Sequence, residues 1–146
     1  MSVRSGLSSF VYRLPTTNPA QATATPIQYP IVISKGTYLI SANISIVSGV
    51  NITGVLFSLQ SANTVAPAAV GDVILRNTVG SAATTLALPS GASTTQAFSL
   101  SGVYTIPADT TIYLNLAAVC AGNTWTVTAS AAPSLVNSIQ FVQIAY

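Results

Sequence analysis

Apolar and polar side chains alternate with a period of two residues in several segments of this chain, and this pattern limits the possible folds most strongly. It is clearest after Gly36, where Ser, Thr or Asn fill most of the positions between Tyr38, Ile40, Ala42, Ile44 and Ile46. A period of two is typical of a β-strand that is buried on one face. No segment shows a sustained period of 3.6, and Glu does not occur. The sequence therefore predicts an all-β protein.

Two further alternating runs flank a turn at residues 107–110. Before the turn the apolar side contains Phe98, Leu100, Tyr104 and Ile106, and after it the apolar side contains Ile112, Leu114, Leu116 and Ala118. Pro107 fixes its own φ, and the Asp109 side chain can accept a hydrogen bond from the backbone. This pattern predicts two strands joined as a hairpin by a tight corner.

The other strand signals are short and regularly spaced. Residues 27–33 form a β-branched run that Pro30 confines to a sheet edge or a bulge, and Gly49 with Asn51 predicts a turn. Further strands are predicted at residues 55–59, 73–79, 124–130 and 138–146. About eight to ten short strands favour a two-sheet antiparallel sandwich of the jelly-roll kind.

The first 26 residues differ from the rest, with three prolines and no apolar periodicity apart from residues 9–14. We therefore predict an extended N-terminal arm at residues 1–26 and a jelly-roll domain at residues 27–146. An alternative stays open for residues 9–14, which could instead be the first edge strand of the domain, followed by a long loop.

The last predicted strand is apolar on both faces. A strand of this kind needs a cover on each side, and in a two-layer sandwich the second cover must come from another chain. The sequence therefore predicts an oligomer whose interface includes Ile139, Phe141, Val142, Ile144 and Tyr146.

Charge is scarce: 4% of residues are charged and the net charge is +2. A surface with so little charge does little to keep copies apart, which favours self-association. Because the four cations are scattered and do not form a stripe, we do not expect nucleic-acid binding. Because no apolar run is long enough for a membrane-spanning helix, we do not expect membrane insertion.

The residue types also argue against catalysis. The chain has no His and no Glu, its two acids, Asp72 and Asp109, lie 37 positions apart, and Cys120 is the single cysteine. These absences exclude His-based triads, paired Glu acids and His-ligated metal sites, so we predict no enzyme activity, no cofactor and no metal site.

Trp125 and Tyr113 could stack on a sugar ring, although a lone Trp in a sandwich more often belongs to the core or an interface.

Three features, in this order, resemble the trimeric jelly roll shared by tumour necrosis factor and complement-type globular heads. They are Gly36-Thr37-Tyr38, the strand at residues 112–116 that follows the turn, and the closing segment SIQFVQIAY. The resemblance covers residues 27–146. It implies three subunits around a threefold axis, with the closing strand near that axis.

The chain departs from the secreted members of that family, because it shows no signal peptide, collagen-like stalk or disulfide framework. In this respect it resembles capsid-decorating or cement proteins of tailed phages and large icosahedral DNA viruses. The resemblance implies a homotrimeric structural protein made in the host cytoplasm and placed on the virion surface. It would bind the major capsid protein or other capsid subunits, with arm residues Arg4, Phe10, Tyr12 and Arg13 in contact. The alternative is a receptor- or glycan-binding head of a viral fibre or a spore surface.

Overall fold

The computed structural model describes residues 9–15, 20–22, 26–63, 73–76, 86–87, 93–120 and 122–146. These ranges contain eleven β-strands, which pair antiparallel in two sheets. None of them contains a helix of the length and apolarity that crossing a membrane requires. The all-β class and the two-sheet antiparallel sandwich predicted from the sequence are confirmed.

The larger sheet has six strands: β1 (Ser9–Arg13), β2 (Gln21–Ala22), β4 (Gly36–Ile52), β8 (Ser93–Ile106), β10 (Thr124–Val127) and β11 (Ser138–Ala145). The long strand β4 lies at its centre. One edge of β4 pairs with β8, and its other edge pairs first with β11 and then with β10. Beyond these, β1 pairs with β11 and β2 pairs with β10.

The smaller sheet has five strands, β3 (Ile27–Ile33), β5 (Gly54–Gln60), β6 (Val73–Arg76), β7 (Leu86–Ala87) and β9 (Thr110–Val119). The order β3-β9-β5-β6 places β3 at an edge, and β7 pairs with β5. Pro30 lies in this edge strand, where its missing N–H removes no hydrogen bond from a central ladder. The sequence predicts either a sheet edge or a bulge for residues 27–33, and the structure has the edge.

The core lies between the two sheets and is built from the alternating positions. On β4 every second residue from Tyr38 to Ile46 is apolar and at most 2% exposed, and on β9 Ile112, Leu114 and Leu116 are fully buried. Trp125, Tyr38, Phe57 and Phe141 are among the largest side chains that are completely enclosed. The period-two pattern therefore identified the buried faces of these strands correctly.

The hairpin predicted around residues 107–110 is wrong. β8 pairs with β4 in the larger sheet, whereas β9 pairs with β3 and β5 in the smaller sheet. The turn after Ile106 therefore carries the chain across the core from one sheet to the other. Alternation shows which face of a strand is buried but not which strand lies beside it. Two amphipathic strands can bury their apolar faces by facing each other across the core.

The turn predicted at Gly49 and Asn51 is also wrong. β4 continues through both residues to Ile52, with a register shift against β8 between Val47 and Ile52. Thr53 alone then leads into β5, and its backbone N–H donates to the Val119 carbonyl at 2.9 Å. Gly49 therefore lies within a long strand whose pairing is locally irregular, and not in a turn.

Near the N-terminus, Ser9–Arg13 form an edge strand, which is the alternative that the sequence left open for this segment. β1 pairs with β11 over its whole length, so this segment belongs to the six-stranded sheet and not to a free arm. Leu14, which follows, is fully buried, and its N–H donates to the Asn137 carbonyl at 3.1 Å. The predicted boundary at residue 26 therefore cuts through the sandwich. Residues 1–8, with Arg4, lie outside the described residues.

The outer face of the five-stranded sheet is buried at its centre although it is polar there. Ser58, Gln60 and Asn115 are at most 1% exposed. The Ser58 hydroxyl donates to Gln60 Oε1 at 3.0 Å, and Gln60 Nε2 donates to the Ala62 carbonyl at 3.0 Å. All seven residues of β5 are buried, so this strand is covered on both faces.

Candidate functional site

The groups that could carry chemistry are dispersed through the described residues. The Asp109 carboxylate accepts a hydrogen bond from the Lys35 backbone N–H at 2.8 Å, and so links two turns. Cys120 is fully buried, and its Sγ donates to the Asn123 carbonyl at 3.3 Å. Within the described ranges, no three residues of the His, Cys, Asp and Glu types form a group that could hold a metal ion. Asp72 lies outside these ranges.

The two aromatic residues considered for sugar stacking do not form a platform. Trp125 lies on β10 and is fully buried, so its ring is not available to an external ligand. Tyr113 lies on β9, in the other sheet, and is half-buried. The sequence placed Trp125 on a strand correctly, but only the structure shows that it belongs to the core.

The predicted interface residues of β11 divide between the two faces of the strand. Ile139 and Phe141 are fully buried in the core of their own chain, so their assignment to an interface is wrong. Val142, Ile144 and Tyr146 are 41%, 45% and 70% exposed. Successive side chains of a strand point to opposite faces, which explains the division. The second apolar face of β11 is thus real, and it is exposed in the single chain.

The residues of β1 that were predicted to contact the capsid interact instead with other residues of the sandwich. The Phe10 ring stacks on Phe141 with 4.7 Å between ring centroids. Burial raises the pKa of Tyr12, with a smaller contribution from Tyr29. The Arg13 guanidinium donates to the Ser134 carbonyl. These three side chains serve the fold, which leaves Arg4 as the predicted capsid contact that the structure does not describe.

An apolar stripe crosses the outer face of the six-stranded sheet. Val142, Leu39 and Val103 are direct cross-strand neighbours on β11, β4 and β8, and they are 41%, 40% and 61% exposed. Val11 on β1 is the diagonal neighbour of Val142 and is 38% exposed. Direct cross-strand neighbours on one face lie about 5 Å apart and diagonal ones about 7–8 Å apart, so these four residues adjoin one another on a single surface. We call them the apolar stripe.

A loop borders the same face at its other end. Leu135 and Val136, at 41% and 53% exposure, project from residues 131–137, between β10 and β11. Together with Asn43, Ser45 and Ser99 they line a cleft of about 480 Å³. We call Leu135 and Val136 the ridge.

Asn137 anchors the ridge. Its φ is +56°, a conformation that Asn adopts more readily than most residues. Its side-chain Oδ1 accepts from the Ser45 N–H at 2.8 Å, and its Nδ2 donates to the Thr128 carbonyl at 3.0 Å. The Ser138 hydroxyl also donates to the Leu135 carbonyl at 2.6 Å. These bonds hold the loop against β4, so its exposed aliphatic side chains are presented from a constrained backbone.

The outer face that carries the stripe and the ridge is nearly neutral. Its polar pairs are bonded to each other, with the Thr37 and Thr105 hydroxyls 2.9 Å apart and the Ser99 hydroxyl donating to Asn43 Oδ1 at 2.6 Å. Among the described residues of this face, Arg13 is the one charged side chain, and it is already bonded to Ser134. A molecule that covers this face would have few ionic groups to desolvate.

No model of a known protein family matches the chain, and no curated protein matches it. Among solved structures, the chain is similar to the C-terminal CBM6 of LamC, a marine laminarinase from Zobellia galactanivorans. The identity is 17%, the TM-score is 0.43, and the alignment covers 93% of this chain and 100% of that chain. At this level the likeness carries no functional inference, so the site rests on the geometry described above. The resemblance to trimeric heads and capsid proteins stays a prediction.

Proposed function

We propose that this chain is a non-enzymatic structural protein that assembles with copies of itself through the outer face of its six-stranded sheet. The observation that carries the proposal is the apolar stripe, four exposed aliphatic side chains that lie side by side on one face of four adjacent strands. Contiguous exposed apolar surface of this kind marks interaction sites in soluble proteins.

The size of the face supports a stable contact. β8 pairs with β4 over residues 37–47, whereas β11 pairs only with residues 37–43 and β1 lies opposite residues 39–43. At about 3.3 Å per residue and about 4.8 Å between strands, this surface is about 540 Å². The loop that carries the ridge borders it and extends it toward the roughly 800 Å² per partner that a stable protein interface buries.

The chemistry of the face favours a second copy as the occupant. Among the described residues of this face, Arg13 is the one charged side chain, so two copies that meet through it bury little charge. A highly charged partner would instead lose hydration while gaining few ion pairs. The low charge of the whole chain acts in the same direction, because copies repel one another little.

The specific assembly that we propose is a homotrimer that decorates and stabilises a viral shell, located on the virion surface. The charge-poor sandwich, its exposed face and the chain's resemblance to trimeric jelly rolls support this assignment. Residues 1–8 precede β1 and are the part of the predicted arm from which contact to the shell is proposed. Several tethered copies would act together, so that dissociation requires all contacts to release.

The first test is the mass of the purified chain by light scattering, at low and high salt. We expect a trimer that salt does not dissociate, because its contacts are apolar. Leu39→Asp should yield a monomer, since the carboxylate would be buried opposite another copy. Val32→Asp is the matched control, because Val32 is 80% exposed on β3 of the other sheet. A monomeric unmodified chain would refute self-association.

The second test addresses the shell. Antibodies against this chain should label purified virus particles in immunogold electron microscopy, and a chain that lacks residues 1–8 should still form trimers but bind the particles more weakly. Particles without label would refute the decoration function and leave the oligomer unaffected.

A further inference from the structure

The outer face of the six-stranded sheet is asymmetric along its strands. The apolar stripe crosses β4 at Leu39, and the ridge stands beside Asn43 and Ser45. Four to six residues separate these positions, which corresponds to about 13–20 Å along the strand. The face therefore carries two distinct apolar features, one flat and one raised, with hydroxyl and amide groups between them.

The two features complement each other in shape and chemistry. The stripe consists of β-sheet side chains, so it is broad and shallow, whereas the ridge presents two aliphatic side chains on a narrow loop. Both are partly exposed, with fractions between 38% and 61%. Within one chain they are too far apart to shield each other from water.

We propose that the ridge of one copy packs on the apolar stripe of the next copy, so that Leu135 and Val136 lie against Leu39, Val103 and Val142. This inference rests on the proposed self-association and names the contacting residues. Because stripe and ridge are different patches, the contact is heterologous: each copy offers its stripe to one neighbour and its ridge to the other. Such a contact is satisfied throughout when it closes into a ring, and a trimer is a ring of this kind.

The anchoring of the loop contributes to the contact. Leu135 and Val136 are presented by a backbone that Asn137 and Ser138 already hold, so docking orders little additional chain. A preorganised apolar projection loses less conformational entropy on binding than a flexible one would.

Cysteine cross-linking tests this contact directly. A disulfide forms only between residues whose Cα atoms come within about 7 Å. We would mix Leu39→Cys protein with Val136→Cys protein, let subunits exchange, and oxidise with copper phenanthroline. The expected result is a cross-linked dimer on non-reducing gels, at least fivefold more abundant than from either variant alone. Native Cys120 is buried and common to all samples.

Val32→Cys mixed with Val136→Cys is the control, because Val32 lies on the other sheet, and it should give only background. The inference is overturned if the mixture gives no cross-link while light scattering still shows an oligomer. It is also overturned if Leu39→Cys alone cross-links as strongly, since that result would place stripe against stripe. In both cases the proposed self-association stands; an unmodified chain that is monomeric in light scattering would refute both.

Discussion

The outer faces of the two sheets differ in polarity and in exposure. On the five-stranded sheet the centre of the outer face is polar and buried, with Gln60 and Asn115 fully enclosed. On the six-stranded sheet the outer face carries an apolar stripe that is exposed, with Val103 at 61%. Polar groups are thus covered and apolar groups uncovered, the reverse of the usual distribution.

This difference separates folding from assembly. Buried polar groups are stable only when they are hydrogen-bonded, and the bonds from Ser58 to Gln60 and from Gln60 to Ala62 provide such bonding within the chain. The apolar stripe, in contrast, is not shielded from water by the described residues of its own chain. Its favourable burial requires a second molecule, so the six-stranded sheet is the side on which we expect contacts.

The largest expected effect contrasts two neighbours on β11. Phe141→Ala should lower the free energy of unfolding by about 3–5 kcal/mol, because it removes a fully buried ring that packs on Phe10 and Tyr38. Val142→Ala, on the exposed face, should cost less than about 1 kcal/mol at a protein concentration where copies are dissociated. Urea unfolding measures both. Equal losses would contradict the assignment of the two faces.

A second contrast exchanges amide for carboxylate on each outer face. Gln60→Glu should destabilise the fold by about 2–4 kcal/mol, because a buried carboxylate would face the Ala62 carbonyl in place of the donor that now bonds it. Gln140→Glu, on the partly exposed outer face of β11, is the control and should cost less than about 0.5 kcal/mol. Chemical denaturation of both variants decides whether only the five-stranded sheet has a closed outer face.

The anchoring of the ridge gives the third prediction. Asn137→Ala should cost about 2–3 kcal/mol, because the bonds to Ser45 and Thr128 are lost and because Ala tolerates a positive φ less well than Asn does. Asn137→Gly relieves the backbone strain and should recover about 1 kcal/mol of this loss. Thermal unfolding of the pair separates the two contributions, and an unaffected Asn137→Ala variant would show that the loop is not held by this side chain.

The smallest expected effect concerns the inner side of the six-stranded sheet at alkaline pH. Burial, and secondarily the Asp109 carboxylate, raises the pKa of Tyr38 above its ordinary value of 10.0. Above that pH the unfolded chain releases its proton first, so the stabilisation that is complete below pH 10 is lost as pH rises through the folded-state pKa. Tyr38→Phe should cost about 1 kcal/mol at neutral pH, because it removes the bond to the Ser34 carbonyl, and should then lose less stability on alkalinisation. Parallel pH profiles for the two proteins would contradict this.

Local patterns in the sequence were enough to predict the all-β class, the buried faces of β4 and β9, and a sheet edge or a bulge at β3. Each of these is a local property: an alternating run such as Tyr38 to Ile46 must bury its apolar side, and Pro30 cannot donate to a central ladder. The second apolar face of β11 was also readable, because Val142 and Ile144 are apolar whichever strands lie beside them.

Which strands are neighbours became known from the three-dimensional structure. Pairing joins segments far apart in sequence, so no local pattern showed that β8 and β9 belong to different sheets or that β1 pairs with β11. For the same reason the sequence could not show that Ile139 and Phe141 lie in the core while Val142 and Ile144 are exposed, because both faces of β11 are apolar. The apolar stripe is likewise a product of register, since Val142, Leu39 and Val103 become one surface only when three strands align.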